Sequence, residues 1–249
     1  MGSMKDRALD QNYLRAEDGV EIEGLMSRGN YLMAAEAIRY GLPADEYETF
    51  LVDSFDPPGV KPARVHKALL ELRSPMYITT NYDRLIENAY AQEYGESAVV
   101  VTHQNSYIAQ KSLQSGRLRE RPIVFKIHGS IDEPSELILS ERDYRKLTHQ
   151  SQGYRMVLSA VFITHTVLML GFSFADPELR LLLETHREAL KYRTHPDYLF
   201  APEDSMGQVE MRRLRDDFGV SIITYQPSPD HREVVEFVEF LASHVPPAA

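Results

Sequence analysis

Three short apolar runs in this chain end in turns carrying asparagine or glycine, and two of them give way at once to helical spacing. The first is Pro75-Met76-Tyr77-Ile78-Thr79-Thr80-Asn81-Tyr82-Asp83, followed by Arg84-Leu85-Ile86-Glu87-Asn88-Ala89-Tyr90. The others are Phe125-Lys126-Ile127-His128-Gly129-Ser130 and Leu168-Met169-Leu170-Gly171-Phe172-Ser173. An apolar β-branched run that yields to a polar cluster and then to apolar residues three and four apart predicts strand, tight turn and helix. Strands alternating with helices predict a Rossmann-like α/β fold, with a mainly parallel sheet covered by helices on both faces. Ligands of such sheets bind beyond the carboxyl ends of the strands, so the three turns form one candidate site.

The rest of the chain fits around these turns. Residues 5–19 are polar and predict no clear element, whereas 20–26, 31–39, 44–52 and 62–72 carry helical patterns. The stretch 20–72 is therefore mostly helical. Beyond the first turn the pattern predicts a helix over 83–94 and strands over 98–102 and 123–127, with 103–121 unassigned. An extended run over 136–140 precedes helices over 141–147 and 151–164 and a strand over 166–170. Asp176-Pro177 is a good cap and first residue for a helix through Leu190. A strand over 197–200, a helix over 204–218, a strand over 220–225 and a helix over 231–244 complete the series. Met1-Gly2-Ser3-Met4 reads as a cloning remnant, leaving 5–249 as a single α/β domain.

Composition removes several functions. A formal net charge of −10 opposes broad electrostatic binding to nucleic acid, which needs a basic surface. The chain has no cysteine, hence no disulfide, no thiolate zinc site and no cysteine nucleophile. His165, His186, His195 and His231 do not cluster at metal-ligand spacing, and no metal is expected. Polar residues such as His165 and Ser173 interrupt the apolar stretch 157–175, so no membrane span is expected. The start lacks the basic-then-apolar build of a signal peptide, which makes a cytoplasmic location the default.

Each candidate residue has a plain structural reading beside a functional one. Asn81 and Asp83 can cap the following helix, yet one cap does not need Thr79, Thr80, Asn81 and Asp83 together. His128, between a strand and Gly129, can be a satisfied structural histidine or a general base. Gly171-Phe172-Ser173 can be a turn and a cap, or can offer backbone N–H groups and a hydroxyl to a ribose or phosphate.

In their order the three turns resemble the sirtuin family, and more closely its bacterial branch found in anti-phage defence proteins. Thr79-Thr80-Asn81-Tyr82-Asp83, Lys126-Ile127-His128-Gly129-Ser130 and Gly171-Phe172-Ser173 carry the likeness, and Leu139-Ser140-Glu141-Arg142-Asp143-Tyr144 is similar to a stretch common in that branch. The resemblance implies a sirtuin-like domain binding NAD. Asn81 and Asp83 would face the nicotinamide ribose, with His128 as general base, and Thr79, Thr80, Gly171 and Ser173 would hold the cofactor. It implies NAD glycohydrolysis rather than deacylation, because a chain without cysteine cannot build the four-cysteine zinc module of the deacetylases. Family members also open with a Gly-Ala-Gly-x-Ser strand and loop, which has no counterpart before Thr79. The chain is thus expected to be shortened at its start or to have lost that element, and an inactive NAD- or nucleotide-binding regulatory module is the alternative. A homo-oligomer or a partner defence protein is the expected assembly.

Overall fold

The computed structural model describes residues 1–115, 121–172, 176–186, 188 and 195–245. Five helices come first: α1 (Gly2–Asp10), α2 (Ala16–Ser27), α3 (Tyr31–Gly41), α4 (Ala44–Phe55) and α5 (Arg64–Glu71). The first corrects the expectation of no element over 5–19. Its apolar anchors are few, and packing rather than propensity makes it a helix. Met4 and Ala8, one turn apart, enter a core with Ile22, Ala34, Ile38 and Leu51, while Lys5 is buried with its ammonium paired to Glu23 and to Asp6 at 3.2 Å. Residues 2–4, read as a remnant, thus lie inside α1, and Met4 is part of the core.

Strand and helix then alternate: β1 (Met76–Thr79), α6 (Leu85–Tyr94), β2 (Val99–Thr102), α7 (Tyr107–Ser115), β3 (Ile123–Lys126), α8 (Glu141–Gln150) and α9 (Gln152–Thr164). β4 (Leu168–Leu170), α10 (Pro177–Thr185), β5 (Asp197–Pro202), α11 (Gln208–Phe218), β6 (Val220–Tyr225) and α12 (Arg232–Ser243) follow. The unassigned stretch 103–121 contains α7. The helix expected through Leu190 is described as far as Thr185, and position 190 lies outside the described residues.

The extended run expected over 136–140 is no strand. It has a 3₁₀ turn at Pro134–Glu136, and its later backbone groups go to different places instead of one ladder. Ile138 N donates to the His128 carbonyl at 2.9 Å, the Ile138 carbonyl accepts from Tyr82 Oη at 2.6 Å, and Leu139 N donates to Asp143 at 3.3 Å.

All the described strand pairs are parallel, in two three-stranded sheets with orders β1-β3-β2 and β4-β5-β6. One core joins them. Phe125 and Ile123 of β3, Met169 of β4, Leu199 of β5 and Val220 of β6 share it with Tyr154, Val157, Leu158, Val161 and Phe162 of α9. A continuous apolar composition, as in β3 with Ile123, Val124 and Phe125 all buried, is what a strand covered on both faces requires. The helical layer α1–α4 packs on Tyr82, Ile131 and Leu137, in the turns beyond β1 and β3. No described helix is long and apolar enough to cross a membrane.

Lys126 breaks the apolar run of β3. It is fully buried, and its ammonium donates to Glu87 at 2.7 Å and to the Asp83 carbonyl, which pins the β1–α6 turn to β3. Removing one partner of such a pair strands the other charge in the interior. Lys126→Ala is therefore expected to lower the urea-unfolding free energy by about 3–5 kcal/mol. The Lys126→Met, Glu87→Leu double variant is expected to recover most of that loss.

Candidate active site

The β1–α6 turn is held by its own polar side chains. Thr79 Oγ1 accepts from Asn81 N at 3.0 Å, and Asp83 Oδ1 accepts from Leu85 N at 2.9 Å as α6 begins. The plain reading of Asp83 is thus satisfied by one of its oxygens, which leaves the other outside the cap. Tyr82 points the opposite way into the helical layer, where its ring meets Phe55 edge-on at 4.8 Å. Asn81 has no such anchor and is exposed. Thr79, Thr80, Asn81 and Asp83 line a cavity of about 590 Å³ together with Gly171, which follows β4 with φ +60°.

His128 ends the other turn, and Gly129 sets its direction. Gly129 has φ +91°, and a Cβ there would lie 2.9 Å from the Glu136 carbonyl oxygen, so both backbone conformation and space demand glycine. His128 is only 5% exposed and is not among the residues lining the 590 Å³ cavity. The structure therefore groups Thr79, Thr80, Asn81, Asp83 and Gly171 around one space, and His128 is not part of its lining. Ser173 lies outside the described residues.

The imidazole has two partners that the sequence did not assign to it. Nε2 lies 2.8 Å from Asp176 Oδ2 and 3.3 Å from the Tyr144 hydroxyl, and Tyr144 donates to the same Asp176 oxygen at 2.8 Å. The other Asp176 oxygen caps α10 by accepting from Leu179 N at 2.8 Å, as the Asp-Pro pair predicted. Burial pushes the Asp176 carboxyl up, but the hydrogen bond and charge of His128, the Leu179 N–H and the Tyr144 hydroxyl outweigh it and hold it below its ordinary value. Burial first, and then the Asp176 charge, push the Tyr144 hydroxyl well above its ordinary value, so it stays protonated and donates. With Asp176 ionised, the proton on Nε2 is the one it holds, and Nδ1 is the nitrogen left to accept another.

Tyr144 could have been noticed, since it closes the Leu139–Tyr144 stretch singled out in the sequence. Its position follows from the N-terminus of α8. Ser140 Oγ accepts from Asp143 N at 3.3 Å and donates to Asp143 Oδ2 at 2.8 Å, while Ser140 N donates to the same oxygen at 3.0 Å. This reciprocal cap fixes the first turn of α8 and aims Tyr144 at the imidazole, with ring centroids 5.4 Å apart. No cluster of three or more His, Asp or Glu residues suited to a metal occurs among the described residues.

A family model described as "SIR2-like domain" matches residues 75–223, from β1 to β6. The chain is 37% identical over 124 residues to the "NAD(+) hydrolase ThsA" of Bacillus cereus (strain MSX-D12), a match covering 50% of this chain and 25% of that protein. It is 32% identical over 134 residues to the protein of the same name from Enterococcus faecium, covering 53% and 27%. A match to "Defense-associated sirtuin 2" of Bacillus subtilis is 23% identical over 215 residues and covers 82% of this chain and 20% of that protein. The matched stretches are thus only about a quarter of each relative's length. With the family model spanning three of the turns read in the sequence and more than half of the chain, the protein belongs to the SIR2-like, or sirtuin, family and is related to bacterial defence-associated NAD hydrolases.

Proposed function

We propose that this domain cleaves the glycosidic bond of NAD between nicotinamide and ribose, giving nicotinamide and ADP-ribose, within a bacterial anti-phage defence system. The observation that carries the reading is the anchored histidine at the strand end beside the Thr79–Asp83 turn, in a chain whose relatives bear the name NAD(+) hydrolase. When the bond from the ribose C1′ to the nicotinamide nitrogen breaks, nicotinamide leaves as a neutral base and C1′ becomes oxocarbenium-like. The side-chain oxygens of Asn81 and Asp83 stabilise that positive charge. Water adds to C1′ and gives a proton to His128 Nδ1, while Asp176 holds the opposite nitrogen and stabilises the imidazolium. Thr79, Thr80, Gly171 and Ser173 take the remainder of NAD. No metal is required.

One observation favours a second reading, in which the pocket binds NAD or a related nucleotide without turning it over: His128 is buried and stands outside the cavity lining. Nicotinamide release measured by chromatography separates the two. Hydrolysis is expected in the unmodified chain and is expected to fall by about 10²–10⁴ in His128→Ala, as for loss of a general base. Turnover undetectable in both, with calorimetric NAD binding that weakens in Asn81→Ala, would establish the binding-only reading.

Asp176 supplies a sharper check on the imidazole. Asp176→Asn keeps the size of the side chain and the cap but loses the charge, and it is expected to lower kcat by up to about 10⁴-fold, as for loss of the carboxylate that orients a catalytic imidazole. Its stability effect has a defined pH dependence. A carboxyl held below its ordinary value in the folded state contributes stability that is complete above that ordinary value and is lost as pH falls through the lowered one. The unfolding free-energy difference between the unmodified chain and Asp176→Asn is therefore expected to be constant from pH 7 to about 5 and to shrink below about 4.

A further inference from the structure

A second cavity, of about 140 Å³, lies beyond the carboxyl end of β2. His103, the residue after that strand, and Gln104 form one wall, while Glu136 of the 3₁₀ turn and Lys146 of α8 contribute others. None of its lining residues lines the cavity of about 590 Å³. It nevertheless borders the candidate site through two residues. Ile138, in its lining, donates its N–H to the His128 carbonyl at 2.9 Å. Asp143, also in the lining, closes the cap of α8, the helix that carries Tyr144.

His103 has no part in the chemistry described above, yet it is 8% exposed and its Nδ1 is sealed from solvent with no hydrogen-bond partner among the described residues. Buried N–H groups without an acceptor are rarer than buried acceptors without a donor, which puts the ring proton on Nε2. Burial pushes the imidazole below its ordinary value by more than Glu136 and Asp143 raise it, and so keeps it neutral at pH 7. With Nδ1 shut off, the ring meets the cavity by its Nε2 side, as an uncharged N–H donor.

The other polar groups around this space are also uncommitted. The side chains of Gln104, Glu136 and Lys146 make no hydrogen bond or ion pair among the described residues. Asp143 is not available, because Oδ1 accepts from Arg39 and Oδ2 from Leu139 N, Ser140 N and Ser140 Oγ. An exposed lysine or a half-buried glutamate without a partner is ordinary; their facing the same small space as a buried imidazole is what selects a ligand. A lone anion there would face Glu136, and a lone cation would face Lys146, whereas a zwitterion suits both. An apolar protein cavity of about 150 Å³ takes one benzene, so about 140 Å³ holds a molecule of roughly six non-hydrogen atoms. We propose that this cavity binds a small zwitterionic α-amino acid of the size of glycine or alanine, whose carboxylate takes Lys146 and the His103 Nε2–H and whose ammonium takes Glu136 and the Gln104 side-chain oxygen. Leu137 and Leu147, also in the lining, suit a methyl side chain. The site does not depend on the chain hydrolysing NAD.

Titration calorimetry and nitrogen-resolved NMR on the whole chain test this. The probes are glycine and alanine, and the controls are acetate and methylammonium, each of which carries one of the two charges. Alanine is expected to bind saturably with a Kd of about 1 mM or lower, and each control about tenfold more weakly or worse. The amide signals of Gln104, Glu136 and Lys146 and the imidazole signal of His103 are expected to shift with alanine. Glu136→Gln and Lys146→Met break no contact within the described residues, so each is expected to weaken alanine by about tenfold while leaving urea unfolding unchanged. Absence of saturable binding of both amino acids up to about 50 mM would mean that the cavity holds water only and would overturn the proposal. Binding that either control matches, or that both variants leave unchanged, would overturn it as well.

Discussion

The contact between His128 and Asp176 is where the two halves of this molecule meet at their functional ends. β1, β2 and β3 belong to one sheet and β4, β5 and β6 to the other, and among the described residues no ladder hydrogen bond crosses between them. The apolar core ties the halves together through their faces. The imidazole–carboxylate bond ties them at the carboxyl ends, where the turns carry their polar side chains. A single aspartate does this with both oxygens, one capping α10 and one holding the imidazole, so the start of a helix and the orientation of a candidate base cannot vary separately.

Lys126 and Tyr82 are each tied by hydrogen bonds to the turns at the carboxyl ends of the strands. Lys126 is surrounded by apolar β3 neighbours, yet its ammonium reaches both Glu87 and a backbone carbonyl. Tyr82 is partly buried and donates to Ile138, while burial holds its hydroxyl above the ordinary value and therefore neutral. Both contacts fix the short turn between them. Asn81 is left as an exposed member of that turn.

What was legible in the sequence was mostly local. β1, β3 and β4 end where apolar runs meet Thr, His and Gly, and Asp176-Pro177 announced the start of α10 because cap chemistry acts within three residues. The pairing of Asp176 with His128 was not legible, since 48 positions separate residues that only the folded sheets bring together. α1 escaped for a similar reason: its propensity is weak, and Met4 and Ala8 become anchors only once α2 and α3 supply a surface. The division into two sheets was equally hidden, because whether a strand edge is paired depends on its neighbours and not on its own residues.

The N-terminal helices, although remote from the turns in sequence, bear on the histidine through a chain of charges. Arg39 of α3 donates to Asp143 at 2.7 Å, and Asp143 closes the cap of α8, from which Tyr144 reaches His128 and Asp176. Asp143 is 7% exposed in its side chain, so leaving it without the guanidinium resembles breaking a buried pair, which costs about 3–5 kcal/mol in full. Two facts reduce that cost. Arg39 is about one-third exposed, which screens the pair, and Asp143 Oδ2 keeps donors at Leu139 N, Ser140 N and Ser140 Oγ. The guanidinium therefore matters less as a source of stability than as a lateral brace. It sets where the first turn of α8 sits against α3, and hence how far Tyr144 stands from the imidazole it steadies.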